Sequence, residues 1–544
     1  TAGQQQQLTP TISGTSNTAV SWTSTTPTVA TVDANGLVRA LTAGTTTVTA
    51  RSVADPTKAA NVAVTVTQTQ GGTPNLDVAA MYLIQSVQQV DGSVRLVANR
   101  DAVARIYVRG SRTGIGSTAV RLRMFQGNTL LQTFQANVNP SLTVDESCCS
   151  ANISIPGSLV RAGVSMIADA DPANAIAESN ETDNNFPLNG TPLALNVTTV
   201  PDFNITLVPV RQNRSGLLGV ASNTVLNMLK SIWPLGVVNV RTRTTPLVID
   251  YALTSSSFDE WSFLVRDLEI ARRADPQAQY YYGLVRINYT SGVLGLAGGI
   301  PALSAVGVDE GTPFGAAEAR LTLAHEMGHT IGLRHAPCGG AAGPDPAFPF
   351  NDGRSGAYGL DIAAGNVLKV PSGTDVMGYC DNQWVSVYNY RNVFDIRTRN
   401  PNGVPANLTS VAAPTSVLMV TGGVDTQTAR IDGSFAMTAA PSKSDAAGRF
   451  ILEGFGANGK VLFSHRFTPF AVSDGKPGDE AFVLGVPVSE AMKAAVVRVA
   501  VREVNGSRKD TRVRTAATQT ANSNIIAATR GSAGALSLKW SINA

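Results

Sequence analysis

Histidine is almost missing from this chain: four residues in 544. Charge is also sparse, with only 15% Asp, Glu, Lys and Arg and a net of +3, so no concentrated basic face exists to neutralise phosphates. Nucleic acid is therefore excluded as an expected partner. The densest basic stretch, Arg508, Lys509, Arg512 and Arg514, is interrupted by Asp510 and reads as the solvated side of a strand. Long hydrophobic runs are lacking too. One long uncharged stretch, Asn288 to Val308, is broken by Gly292, Gly295, Gly298, Gly299, Pro301 and Gly307, which excludes a membrane-spanning helix there. The four cysteines, Cys148, Cys149, Cys338 and Cys380, form no CxxC pair, so a thiolate metal site has no support. An even count in a chain rich in Thr, Ser, Asn and Gly fits disulfides in an oxidising compartment. The polar start at Thr1 shows no basic and apolar leader, and export with the signal peptide already removed is expected.

Glycine and proline are plentiful, 50 and 28 residues, and aromatics make up 6%. That mixture suits short strands joined by turns, and the length calls for three or four packed units. From Ala19 to Gln68, β-branched residues alternate in short runs, with turns at Asp33-Ala34-Asn35-Gly36 and Ala43-Gly44. This reads as a small sandwich. The spacing of Trp22, Val29 to Asp33, Gly36-Leu37-Val38 and Gly44-Thr45 through Ala50 resembles the group 2 bacterial immunoglobulin-like domains of surface adhesins. The resemblance implies an extracellular spacer or adhesion module. After a linker at Thr69 to Pro74, a second β-rich unit runs to about Val200. Its ending, DADPANAIAESNETDNNF, resembles the terminal motif of CARDB domains, and Glu178, Glu181 and Asp183 there are candidate Ca2+ ligands. The same side chains could instead bond their own turn.

The character changes at Phe203. A strand to Val210 is followed by a helix near Ala221 to Trp233 and a strand around Val237 to Arg243. An amphipathic helix then carries Phe258, Trp261, Leu264, Val265, Leu268 and Ala271 on one face, and a strand follows from Tyr280 to Tyr289. This alternation predicts an α/β unit with a central sheet. Past Pro405 short strands return, with a hairpin where Phe450 to Phe455 and Lys460 to Phe467 flank Ala457-Asn458-Gly459. His465 lies in that hairpin and is expected at the surface.

The other three histidines, His325, His329 and His335, fall within HEMGHTIGLRH. On a helix, His325 and His329 lie one turn apart on the same face and can aim at one ion. Glu326, next to the first, can reach a water at that ion as a general base. Gly332 can take the left-handed conformation that ends a helix, bringing His335 back as a third ligand and leaving a coordination position open. Thr312 is expected to cap this helix, with Pro313 as its first residue.

HExxHxxGxxH followed by a Met-containing turn resembles the metzincin zinc endopeptidases. The turn would be Asp375-Val376-Met377-Gly378-Tyr379-Cys380, with Met377 as a hydrophobic floor beneath the zinc and Tyr379 either an oxyanion donor or a packing residue. Ala336 after the third His argues against subgroups that carry Asp there. A Cys338–Cys380 disulfide would tie the ligand helix to this turn. The stretch from Gly292 to Gly299 lies where the family places its substrate-pairing edge strand, or is a loop. A final helix is expected from Cys380 onward, with Trp384 in the core.

The fold class expected is multidomain: all-β immunoglobulin-like sandwiches flanking an α/β metzincin zinc-peptidase domain. The domains are an immunoglobulin-like domain at 1–68, a CARDB-like sandwich at 74–200, the catalytic domain at 201–404 and a C-terminal sandwich at 405–544. The function expected is that of a secreted, monomeric endopeptidase with one catalytic Zn2+, which hydrolyses extracellular proteins, including glycoproteins or mucins, with a water that Glu326 activates at the zinc. The β domains are candidates for surface or carbohydrate contact. The rival reading is an adhesin with a vestigial metal site.

Overall fold

The computed structural model describes residues 2–67, 73–256, 258–277, 279–400, 403–404, 408, 413–473, 478–514, 525–530 and 536–540. Most of the linker expected at Thr69 to Pro74, and Pro405 at the start of the last domain, lie outside them. The chain is mostly β, arranged in several sheets. It divides into two compact units, one of Thr1–Tyr82, Ala104–Ile153 and Val164–Ala194, the other of Leu83–Val103, Ser154–Gly163 and Leu195–Ala544. Among the described residues no helix is long and apolar enough to cross a membrane.

In the first unit, the alternation read at Ala19 to Gln68 becomes two three-stranded sheets. They enclose Val29, Ala30, Val38, Val48 and Val66. Gly36 holds φ +82, and a Cβ there would lie 2.7 Å from the Trp22 ring, so the turn needs glycine twice over. In the second β-rich segment, Thr118–Gln126 pairs antiparallel with both Thr129–Val138 and Val164–Ala170. Cys148 and Cys149 are joined to each other. The carboxylates expected to hold Ca2+ accept from amides, two of them from the other end of the segment. Glu178 accepts from the Leu76 amide, Glu181 accepts from the Glu178 amide at 3.0 Å, and Asp183 accepts from the Asn75 side chain at 2.9 Å. These three gather into no cation-holding group.

The second unit is built on a six-stranded sheet. The strands on its main path, in chain order, are β1 (Phe203–Gln212), β2 (Val238–Thr242), β3 (Tyr280–Val285), β4 (Gly295–Ala297) and β5 (Ser304–Val308), and off that path Leu247–Ile249 pairs parallel with the end of β1. Their spatial order is β2-β1-β3-β5-β4, all parallel except β4, which runs antiparallel on the edge. The continuous apolar runs of β1, β3 and β5 suit strands covered on both faces. The expected helix near Ala221 begins as a tight 3-10 turn, Asn223–Leu226, capped by Ser222, and continues as the short α1 (Asn227–Ile232). Helix α2 (Phe258–Arg273) buries Trp261, Leu264, Val265, Leu268 and Ala271, the face its periodicity predicts. The strand expected to run to Tyr289 stops at Val285.

Helix α3 (Ala316–Ile331) starts later than its sequence suggests. Thr312 does not cap it; its carbonyl accepts from the Gly315 amide at 3.0 Å in a turn, and Gly315 at φ +87 leads into the helix. Helix α4 (Val387–Arg399) likewise begins beyond Cys380, where the Ser386 hydroxyl accepts from the Asn389 amide at 3.1 Å.

The C-terminal strands form two four-stranded sheets around Leu418, Val420, Phe450, Leu452, Phe482 and Val499. The hairpin pairs Phe450–Phe455 with Val461–Phe467 as its turn residues predict. One sheet presents Val417, Met419 and Phe435 to Ile270 of α2. Beside them Arg266 of α2 pairs with Asp432, both nearly buried. Burial alone would push Glu269 up, but Arg272 and Arg273 beside it hold its carboxyl at about 2.

His465 is not at the surface. Strand alternation turns it inward, 5% exposed, with Nε2 facing no hydrogen-bond partner, and burial pushes its pKa down. A lowered histidine pKa means that the unfolded chain takes up the proton first, so this group costs stability as pH falls below its ordinary value of about 6.5. His465→Leu should therefore lose less stability than the wild type between pH 7 and pH 5, read as the shift in urea midpoint at each pH. An equal loss in both proteins would show that His465 carries no such penalty.

Candidate metal centre

Helix α3 delivers His325, Glu326 and His329 one turn apart, buried at 7%, 4% and 0% exposure. Gly332 ends it at φ +129, a conformation that side chains avoid, and the chain turns back to place His335 opposite. His329 Nε2 lies 3.1 Å from both His325 Nε2 and His335 Nε2. The three rings contribute ligand atoms that all lie within 4.8 Å of one another.

Their tautomers follow from their other nitrogens. His325 Nδ1 is 2.8 Å from the Val376 carbonyl, His329 Nδ1 2.8 Å from that of Leu333, and His335 Nδ1 2.6 Å from that of Ala342. A carbonyl only accepts, so each Nδ1 carries the hydrogen and each Nε2 presents a lone pair. Three lone pairs facing one point cannot bond to each other. A cation at that point resolves the conflict: a tetrahedral ion with nitrogen ligands at about 2.0–2.1 Å holds them about 3.3 Å apart, close to the spacing seen. The three histidines could thus hold a metal ion, and the carbonyls orient each ring as an outer shell commonly does.

The Met-containing turn packs against α3, with its Val376 carbonyl at His325 Nδ1. Met377 is fully buried, and a Cβ added at Gly328 of α3 would lie 2.4 Å from its sulfur and 3.2 Å from the Trp233 ring. The motif position between Met327 and His329 is glycine because this floor leaves no room. Tyr379 is half exposed, its hydroxyl 3.1 Å from His335 Nε2. Cys338 is bonded to Cys380, and the Ala336 amide donates to the Met377 carbonyl at 2.9 Å, so the third ligand and the turn are joined twice. Trp384 is core, 1% exposed.

Sequence reading missed Asp375. It is fully buried, and burial pushes its carboxyl up. One oxygen accepts from the Met377 amide at 2.8 Å and the Asn389 side chain at 2.9 Å, the other from the Ser386 amide at 2.8 Å. Asp375 therefore sets the turn and ties it to the start of α4. A buried acid two residues before the Met was its only signal. Tyr282 of β3, which lies close enough to feel Glu326 and is pushed up by its own burial, left no signal at all.

The two three-stranded sheets at the start of the chain fit one family. Residues 1–64 match the bacterial Ig-like domain (group 2) family. The Ig-like domain accounts for the first sheets and leaves the histidine site outside the matched segment. A comparison with curated proteins gives no match. Among solved structures, dimeric latent PorU from Porphyromonas gingivalis is 13% identical over 35% of this chain, which spans 17% of that protein, at a TM-score of 0.15. A beta-glycosidase from Bacteroides vulgatus is 10% identical over 86% of this chain and 67% of its own, at 0.14. Similarity this low carries no argument about fold.

Two outcomes follow from this geometry. Metal analysis should find one ion per wild-type chain and none in His329→Ala. Gly328→Val should drive Met377 from its place and destabilise the fold by about 2 kcal/mol, in the range for overpacking, as read by denaturant unfolding.

Proposed function

We propose that the protein is a secreted zinc-dependent endopeptidase of metzincin type, with its catalytic domain at 201–404 and the sandwiches at 1–68, 74–200 and 405–544 as its extracellular modules. The observation that carries this reading is the convergence of three Nε2 lone pairs, with a buried glutamate next in the chain to the first of these histidines. Three protein nitrogens suit zinc and leave a position open, and a site that served only structure would have no use for Glu326. Zinc, when bound, supplies a Lewis acid and lowers the pKa of a water to about 7.

The chain's own residues do the rest. Glu326 takes the proton of the attacking water as the tetrahedral centre forms and gives it to the leaving amine nitrogen. The Tyr379 hydroxyl, beside His335, can donate to the developing oxyanion. The edge strand β4 offers backbone to an extended peptide beside Glu326: a Cβ at Gly295 would lie 2.8 Å from the Glu326 side chain. The substrates are extracellular proteins, with glycoproteins and mucins a class suggested by the adhesin-like front. That front also favours a second reading, a surface adhesin with a vestigial site.

Casein, a mucin and the same mucin deglycosylated decide between them. Wild type should cut, Glu326→Ala should be about a thousandfold slower, and a chelator should abolish cleavage. The product termini, read by mass spectrometry, would tell whether glycans are required. A folded, zinc-loaded wild type that cuts nothing the variant spares would move the adhesin reading ahead.

A further inference from the structure

The edge of β4 is only partly open. Gly298 donates to Ser304 at 2.8 Å, and the Leu294 carbonyl accepts from Val308 at 2.9 Å, so in this antiparallel pair the even-numbered residues bond inward to β5. Gly295 and Ala297 therefore turn their amides and carbonyls outward. Those of Ala297 are taken. Its amide donates to Ser473 Oγ at 2.9 Å, and the same hydroxyl donates back to its carbonyl at 2.9 Å. One hydroxyl fills both places of a ladder partner.

Ser473 comes from the C-terminal sandwich, is 1% exposed, and follows Phe470–Ala471, a short strand paired with Glu480 and Ala481. Phe470 and Ala471 lie against Gly299, where a Cβ would meet the Phe470 ring at 2.9 Å and the Ala471 carbonyl at 3.1 Å. At the other end, the Val293 carbonyl accepts from the Tyr289 hydroxyl. Among the described residues from Val293 to Ala297, Gly295, beside Glu326, is the one outward rung with neither group engaged by these neighbours.

We propose that Ser473 terminates the substrate-binding edge, so that a peptide pairs with β4 at Gly295 alone and its N-terminal arm must leave the sheet there. This rests on the endopeptidase reading above. A single rung is satisfied by one residue only if the peptide runs antiparallel, since directly opposed antiparallel residues exchange both bonds. Antiparallel addition places the peptide's N-terminal side toward Ala297, where Ser473 stands. The C-terminal sandwich is thereby a specificity element: it favours cleavage near chain ends or at bends that carry the N-terminal arm away from the sheet.

The test uses the full chain and peptides that share one scissile bond, chosen from the casein product termini and lengthened one residue at a time on the N-terminal side. In the wild type, kcat/KM should stop rising after the first few residues. In Ser473→Gly, the ratio of kcat/KM for long against short peptides should rise about tenfold, the worth of one regained rung, with thermal unfolding read alongside. A wild-type kcat/KM that keeps climbing with length overturns the proposal, and so does a folded Ser473→Gly protein with the wild-type length profile. If that variant does not fold, the wild-type series alone decides. Cleavage of no peptide and no protein would instead defeat the endopeptidase reading.

Discussion

Three imidazole lone pairs aimed at one point are unstable unless something holds the rings in place, and this constraint organises the second unit. Each ring is held by a carbonyl from a different segment: Val376 in the Met-containing turn, Leu333 just past α3, and Ala342 in the loop after His335. None of these carbonyls can shift without turning its imidazole away. The helix end, the loop and the turn therefore have to be fixed together.

Each of the three is fixed by a different means. Gly332 lets the chain reverse within a few residues, since a side chain at φ +129 would be strained. The turn is pinned from within by Asp375, whose carboxylate takes two backbone amides and one side-chain amide, and from above by the close approach of Met377 to Gly328. The Cys338–Cys380 bond closes a span of 42 residues and joins the third ligand's loop to the turn. In the entropic account such a link is worth roughly 3 to 4 kcal/mol by restricting the unfolded chain.

Legibility followed the range of the interaction. The buried face of α2 was readable because it depends on a period of 3.6 residues, and the hairpin around Ala457-Asn458-Gly459 because a short turn with a left-handed position at its end favours glycine there. Helix starts were less so. Thr312 and Pro313 have the right chemistry for a cap, yet the chain spends them on a turn and begins α3 at Ala316. His465 was misplaced because inward or outward on a strand is set by which sheet packs against it, here the partner sheet of the C-terminal sandwich. The carboxylates of Glu178 and Asp183 invited a cation reading, whereas contacts more than a hundred residues away, at Leu76 and Asn75, take them up.

The sequence by itself determined the histidine group and its order: spacing on a helix forces His325 and His329 to one face, with Glu326 beside them and a glycine to reverse the chain before His335. It also determined the N-terminal Ig-like domain, through the alternation of its strands and the residues of its turns. The tertiary structure alone decided how the site is held and bounded. Asp375 beneath the Met-turn, Trp233 under Gly328, and Ser473 from the last sandwich on the rung next to Gly295 act across long stretches of chain. Such contacts leave no periodic trace, because only packing brings their two ends together.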